Sequence, residues 1–196
     1  MYMNTSNNKA HNSKIDDLLK DATELAQDSM RSRDRVPPTF VAHAPSGVVI
    51  ITPPKFSEDF ARTNYPSTIR NCCVLVRAVA GVLTMPVSWT TPGGENPLDG
   101  TASVDLRGNV SNALFLSAEI AGGASVQRIL PILRDKKGRF QGFGHAETVS
   151  HQAIEGGKYS CLLPPRPPTD QERRKAMEAM EAHARRAIAA GHCKPR

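Results

Sequence analysis

Aromatic side chains are scarce in this sequence, and cysteines are few. Only 5% of the 196 residues are aromatic, while Pro and Gly number 15 and 14. This composition predicts a modest aliphatic core joined by a good deal of irregular chain. Two of the four cysteines, Cys72 and Cys73, are adjacent and cannot readily bridge each other, so no disulfide framework is indicated. We therefore expect a reduced, cytoplasmic protein.

Long apolar runs and catalytic motifs are also absent. No stretch approaches the roughly 18 apolar residues of a membrane span, and the start of the chain has no signal-peptide pattern. The nucleophile elbow, the phosphate-binding loop and the His-Glu-x-x-His motif do not occur. Cysteines and histidines do not form close ligand pairs such as Cys-x2-Cys. We predict no membrane association, no metal site and no cofactor.

Positive charge is concentrated near the end of the chain. The net charge is +6, and residues Pro164 to Arg196 hold eight basic and four acidic residues, which is +4 of the total. Such a segment favours an anionic partner, either an acidic protein or a nucleic acid. The residues that we predict to contact it are Arg166, Arg173, Arg174, Lys175, Arg185 and Arg186, together with the turn residues Lys136, Lys137 and Arg139.

Helical periodicity marks both ends of the chain. After a flexible leader over residues 1–12, Ser13 is a suitable N-cap for a helix over about Lys14 to Ser32, with its apolar stripe at Ile15, Leu18, Leu19, Ala22, Leu25 and Ala26. Near the other end, Thr169 and Glu172 form a capping box that predicts a helix ending at Gly191. Its apolar stripe is Met177, Met180, Ala184 and Ile188.

Strand signals occupy the middle of the chain. Pro45-Ser-Gly47 predicts a hairpin between Thr39 to Ala44 and Val48 to Thr52. Glycine-containing breaks also predict an antiparallel meander, whose runs are Ala113 to Ile120, Ser125 to Arg134 and Arg139 to Ala146. Alternation predicts a strand over Leu83 to Thr90, in which Pro86 indicates an edge position or a bulge.

The segments between these strands are less regular. A short helix is expected from Ser57 to Asn64, before Tyr65 and Pro66. Thr68 to Ala80 fits a helical stripe, although its apolar run is also compatible with a strand. Thr91 to Asn112 has no period and is expected to be a disordered loop or a lid. Tyr159 to Leu163 could add one strand.

These elements predict an α+β fold, in which an antiparallel sheet of hairpin and meander is packed with helices. The expected organisation is a leader over 1–12, a single domain over 13–163, a Pro-rich spacer over 164–168, a C-terminal helix over 169–191 and a tail over 192–196. The C-terminal helix is expected to be an appendage or an oligomerisation arm on its extended spacer.

Part of the meander resembles the RNA recognition motif family. Residues 135–144, DKKGRFQGFG, resemble the family's third-strand motif, and Leu114 to Leu116 resembles its first-strand motif. The resemblance implies that Phe115, Phe140 and Phe143 are exposed for base stacking. The chain departs from the family at His145 and Ala146, and it has no room between Ile120 and Arg139 for the family's helix and strand. These departures favour ordinary sheet residues.

Three functions follow from these features. The first is a non-enzymatic binding or adaptor protein that engages an anionic partner through its basic C-terminal arm. The second is an enzyme of unknown class, in which His43, Cys72, Cys73 or His145 would react beneath the 91–112 loop. The third is a homo-oligomeric structural protein, joined through the N-terminal helix or the methionine stripe.

Overall fold

The computed structural model describes residues 5–52, 58–90, 110–149 and 159–189. Within these ranges the chain forms an α+β fold, as predicted. Its helices are α1 (Thr5–Arg33), α2 (Glu58–Val76) and α3 (Asp170–Ala189). Its strands are β1 (Thr39–Ala44), β2 (Gly47–Ile51), β3 (Ala80–Thr90), β4 (Val110–Ile120), β5 (Ser125–Arg134), β6 (Phe140–Phe143) and β7 (Glu147–Thr148).

The seven strands form one antiparallel sheet. Their order is β2-β1-β3-β4-β5-β6, and β7 pairs with β5. The predicted hairpin and meander are both confirmed, because local turns join β1 to β2, β4 to β5 and β5 to β6. Pro86 lies in the part of β3 that extends past its pairing with β1. Its missing N–H therefore costs no ladder hydrogen bond on that side.

Helix α1 covers one face of the sheet. Alternation along β4 directs Leu114, Leu116 and Ala118 towards this helix. The helix begins at Thr5, so it includes most of the segment that we expected to be a flexible leader. Extending a nucleated helix costs little per residue, which explains the earlier start. Leu25 is 57% exposed, and Met30 instead continues the buried stripe.

Helix α2 covers the opposite face, above Ala113 and Phe115 of β4. The expected break at Tyr65 and Pro66 is wrong, since one helix runs through Pro66. The hydroxyls of Ser67 and Thr68 donate to the Asn64 carbonyl at 2.8 and 3.0 Å. Both hydrogen bonds lie within the helical turn that contains Pro66. The packing of Pro66 in the core also favours the continuous helix.

Helix α2 ends earlier than expected, at Val76 rather than Ala80. Arg77 adopts a φ of 57°, and the Ala78 amide donates to the Cys73 carbonyl at 2.9 Å. This left-handed residue stops the helix without a glycine. Ala80 and Gly81 consequently belong to β3.

Helix α3 packs against α2 and is therefore not a free appendage. Ala176 is buried, and Arg173, Met180 and His183 are half-buried on the same side. Met177 and Ile188 are 50% and 41% exposed and Ala184 is exposed, so Met180 is the one member of the predicted stripe on the packed side. The predicted capping box is confirmed. The Thr169 amide donates to Glu172 Oε2 at 2.7 Å, and the Glu172 amide donates to Thr169 Oγ1 at 3.3 Å.

The three phenylalanines of the meander do not form an exposed stacking surface. Phe115 is fully buried between the sheet and α2. Phe140 and Phe143 pack against the core beneath α1, and their rings meet edge to face with centroids 5.2 Å apart. The base stacking implied by the family resemblance is therefore wrong for these side chains.

Candidate functional site: a cavity between α2, α3 and the connecting segment

Residues 159–169, here called the connecting segment, fold over the sheet in an irregular conformation. They do not form the expected strand over Tyr159 to Leu163, and Pro165, Arg166 and Pro167 of the predicted spacer are exposed. Tyr159, Leu162 and Leu163 are buried in the core beneath α2. A Cβ at Gly122 would lie 2.6 Å from the Pro165 carbonyl oxygen, so the segment approaches the β4–β5 turn very closely.

A buried carboxyl group on β4 holds this segment. Glu119 is 4% exposed, and its Oε2 accepts hydrogen bonds from the amides of Leu162 at 2.7 Å and Leu163 at 3.2 Å. Cys161 has a φ of 53°, and a left-handed residue of this kind turns successive amides towards one anionic group. The Glu119 side chain therefore fixes the backbone of the connecting segment on the sheet.

Arg70 of α2 holds the same segment by its carbonyl groups. Its guanidinium donates to the Ser160 oxygen at 3.0 Å and to the Cys161 oxygen at 3.3 Å. Arg70 on α2 thus donates to carbonyl oxygens at 160 and 161, and Glu119 on β4 accepts from the amides at 162 and 163. Because backbone groups must be satisfied when buried, this pairing explains how an irregular segment tolerates its position.

Burial raises the pKa of Glu119 above its ordinary value, although the amides of residues 161–163 and the charge of Arg70 act in the opposite direction. Glu119 Oε1 has no hydrogen-bond partner within the described ranges, and neither has the Oε1 atom of Gln127. The two residues face the same side of adjacent strands, diagonally across the β4–β5 pairing.

A cavity of about 410 Å³ opens between α2, α3 and the connecting segment. Its apolar lining includes Val74, Leu162, Leu163 and Ala176. Its charged lining consists of Arg70, Arg166, Lys175 and one carboxylate, Glu172. A volume of this size and a mixture of apolar walls with a few charged groups are typical of ligand sites.

The carboxylate of Glu172 is already engaged. Arg166 binds it with both terminal nitrogens, at 3.0 and 2.9 Å, and Thr169 donates to it through its amide and hydroxyl. These bonds, led by that from Arg166, lower the pKa of Glu172 to about 2. Lys175 has no ion pair within the described ranges, so its positive charge is not compensated by Glu172.

Several of the cations predicted to bind a partner are paired within the chain. Arg173 contacts Asp170 at 3.4 Å, Arg185 contacts Glu181 at 3.1 Å and Arg139 contacts Asp135 at 2.7 Å. The predicted cations that form no ion pair in the described part of the chain are Arg174, Lys175, Arg186, Lys136 and Lys137. The number of predicted cations without an ion pair inside the chain is therefore smaller than the sequence indicated.

Lys175 and Arg186 define one side of α3, here called the cationic flank. They are 11 residues apart, which is close to three turns, so they project in similar directions. Arg174 and Arg185 lie on another side with Glu178 and Glu181, and that side, here called the balanced face, has no net charge. Because Lys175 also lines the cavity, the cationic flank and the cavity adjoin each other.

The turn cations lie elsewhere. Lys136, Lys137 and Arg139 belong to the β5–β6 turn, whereas the connecting segment meets the turn at the other end of β5. Ten strand residues separate these turns by about 30 Å. The structure therefore does not unite the predicted partner-binding residues into one surface.

The histidine and cysteine candidates are not brought together either. His43 faces the α1 side of the sheet beside Ala80, while Cys73 is buried on the α2 side. His145 is exposed in the loop after β6. Residues 91–109 of the expected lid lie outside the described ranges, and 110–112 form the start of β4. The described residues contain no group of three potential ligands placed to hold a metal ion.

Burial raises the thiol pKa of Cys72, and it raises that of Cys73 to about 12. A nucleophilic cysteine requires the opposite shift. We therefore predict that, in a Cys193→Ser chain, a thiol reagent at pH 8 modifies the exposed Cys161 rapidly and Cys73 only after unfolding. A Cys161→Ser variant serves as the control, and rapid modification of Cys73 in the folded chain would restore the enzyme hypothesis.

No protein-family model matches the chain, and no significant match was found among curated proteins or solved structures. The described helices include none that is both long and apolar enough to span a membrane.

Proposed function

We propose that this chain is a non-enzymatic binding protein that engages an acidic protein partner through the basic helix α3. The observation that carries the proposal is the cationic flank. Lys175 and Arg186 are exposed on one side of α3 without an ion pair in the described part of the chain. Charged groups of this kind steer and orient an oppositely charged protein surface.

An acidic protein is a better match for these features than a nucleic acid. Helix α3 carries five basic residues against four acidic ones, so it is not the concentrated positive surface that phosphate contacts favour. Phe115 is buried in the core, and Phe140 and Phe143 are partly buried against it, so none of the three rings is a fully exposed stacking platform. The homo-oligomer remains an untested prediction.

Charge reversal on two sides of α3 tests the proposal. The probe is a fluorescein-labelled peptide of about ten Glu residues, titrated with the full chain at low and physiological salt. We expect Lys175→Glu with Arg186→Glu to weaken binding about tenfold at low salt, because two favourable contacts become repulsive. The matched control is Arg174→Glu with Arg185→Glu, which changes the net charge equally on the balanced face.

Three outcomes would count against the proposal. The first is that the peptide shows no salt-dependent binding, and the second is that the two double variants weaken its binding equally. The third is that a single-stranded oligonucleotide binds to the chain more tightly than the peptide does. The last result would favour the nucleic-acid partner. Circular dichroism establishes that each variant is folded before its affinity is compared.

A further inference from the structure

We infer that the cavity between α2, α3 and the connecting segment is a specificity pocket for the partner. It receives a short segment in which an apolar side chain adjoins a carboxylate. This inference rests on the proposed function and deepens it, since it names the chemistry that the acidic partner presents.

The charges around the cavity favour a carboxylate at its rim. Glu172 does not oppose an incoming anion strongly, because Arg166, the Thr169 amide and the Thr169 hydroxyl already compensate its charge. Lys175 is exposed beside this pair and has no ion pair in the described chain. A partner carboxylate near Lys175 would therefore meet a net positive rim.

The walls of the cavity favour an apolar group inside it. Val74, Leu162, Leu163 and Ala176 provide an aliphatic lining, and the volume of about 410 Å³ lies within the usual range of ligand sites. Leu162, Leu163 and Ala176 are buried and Val74 is half-buried, so the apolar surface that a purely acidic segment would leave in contact with water belongs mainly to Val74. An aliphatic side chain in the cavity would instead remove both its own apolar surface and that of the walls from water.

The connecting segment makes the pocket preorganised. Glu119 and Arg70 hold residues 160–163 from the sheet and from α2, so Leu162 and Leu163 form a fixed wall. A fixed wall reduces the conformational entropy lost on binding. The pocket is thus built by interactions that are independent of the cationic flank.

The experiment uses two labelled peptides, acetyl-Gly-Glu-Leu-Glu-Gly and acetyl-Gly-Glu-Ser-Glu-Gly, titrated with the full chain by fluorescence polarisation. The leucine peptide should bind about tenfold more tightly, because it buries an aliphatic side chain that the serine peptide lacks. In Asn71→Phe, which places a large uncharged group in the cavity lining, this tenfold preference should disappear while binding of the polyglutamate probe is retained. The matched control is Gln141→Phe on the exposed side of β6.

A second pair of variants keeps the test decisive if Asn71→Phe does not fold. Lys175→Gln should weaken binding of the leucine peptide several-fold, whereas Lys136→Gln at the distant turn should leave it unchanged. Equal binding of both peptides by the wild-type chain would overturn the pocket but leave the proposed function standing, provided that polyglutamate still binds. If the wild-type chain binds none of the acidic probes, polyglutamate included, the proposed function would instead be overturned.

Discussion

Replacing Glu119 with Ala is expected to lower the free energy of unfolding by about 3 kcal/mol, while Glu119→Gln should stay within about 1 kcal/mol of wild type near neutral pH. The Ala variant leaves the amides of Leu162 and Leu163 without their acceptor in a buried position. The Gln variant keeps an oxygen that can accept from both amides, and its N–H group replaces the Oε1 atom that has no partner in the described ranges. Urea denaturation of the three proteins measures the difference.

The two variants also separate charge from geometry. Since burial raises the folded-state pKa of Glu119, the folded chain binds its proton more tightly than the unfolded chain does. The resulting stabilisation is present below the ordinary pKa of 4.5 and is lost as the pH rises through the folded-state pKa. Relative to Glu119→Gln, wild type should therefore lose stability as the pH rises above 4.5. Parallel pH profiles for the two proteins would show that Glu119 does not titrate in this way.

Loss of the Glu119 anchor should also affect the cavity. Leu162 and Leu163 contribute both to the bonds with Glu119 and to the cavity wall. If the pocket acts as inferred, Glu119→Ala will weaken binding of the leucine peptide under conditions in which the chain is still folded. Under the proposed function, the polyglutamate probe depends mainly on Lys175 and Arg186, so its affinity should change less.

The sheet could be predicted from the sequence because its signals are local. The turns at Gly47, Gly122 and Gly138 all use positive φ, and glycine at these positions is visible in the sequence. Alternation on either side then sets the strands, whose boundaries differ from the predicted ones by a few residues. The packed side of α3 was not predictable in this way, because Ala176 rather than Met177 faces α2. That choice depends on the shape of a helix about 100 residues earlier in the chain.

The site was only partly visible in the sequence. Glu119 is the one charged residue of β4, and this was a usable signal of a buried polar role. Its partners at 162 and 163 lie more than 40 residues away, and no local pattern specifies them. The sequence identified the cationic residues, but it did not show which of them form ion pairs within the chain. Whether Arg166 is paired with Glu172 depends on how the connecting segment turns before α3.

Gly81→Ala is expected to destabilise the chain by about 2 kcal/mol through overpacking. Gly81 lies in β3 between Ala42 of β1 and Glu119 of β4. A Cβ there would lie 2.5 Å from Phe40 Cζ and 2.8 Å from Cε1, and Phe40 is fully buried. Replacing Gly within a strand normally gains about 0.5–1 kcal/mol of backbone entropy. The clash outweighs this gain because the ring has no solvent-exposed position to which it can move.

A double-mutant cycle with Phe40→Leu tests the cause. Phe40→Leu alone should destabilise the chain, because it leaves unfilled space in the core between the sheet and α2. In the double variant, the methyl group that Gly81→Ala introduces enters part of that space. The combined loss should then be smaller than the sum of the two single losses by at least about 1 kcal/mol. Additive losses would show that the ring of Phe40 is not what requires glycine in β3.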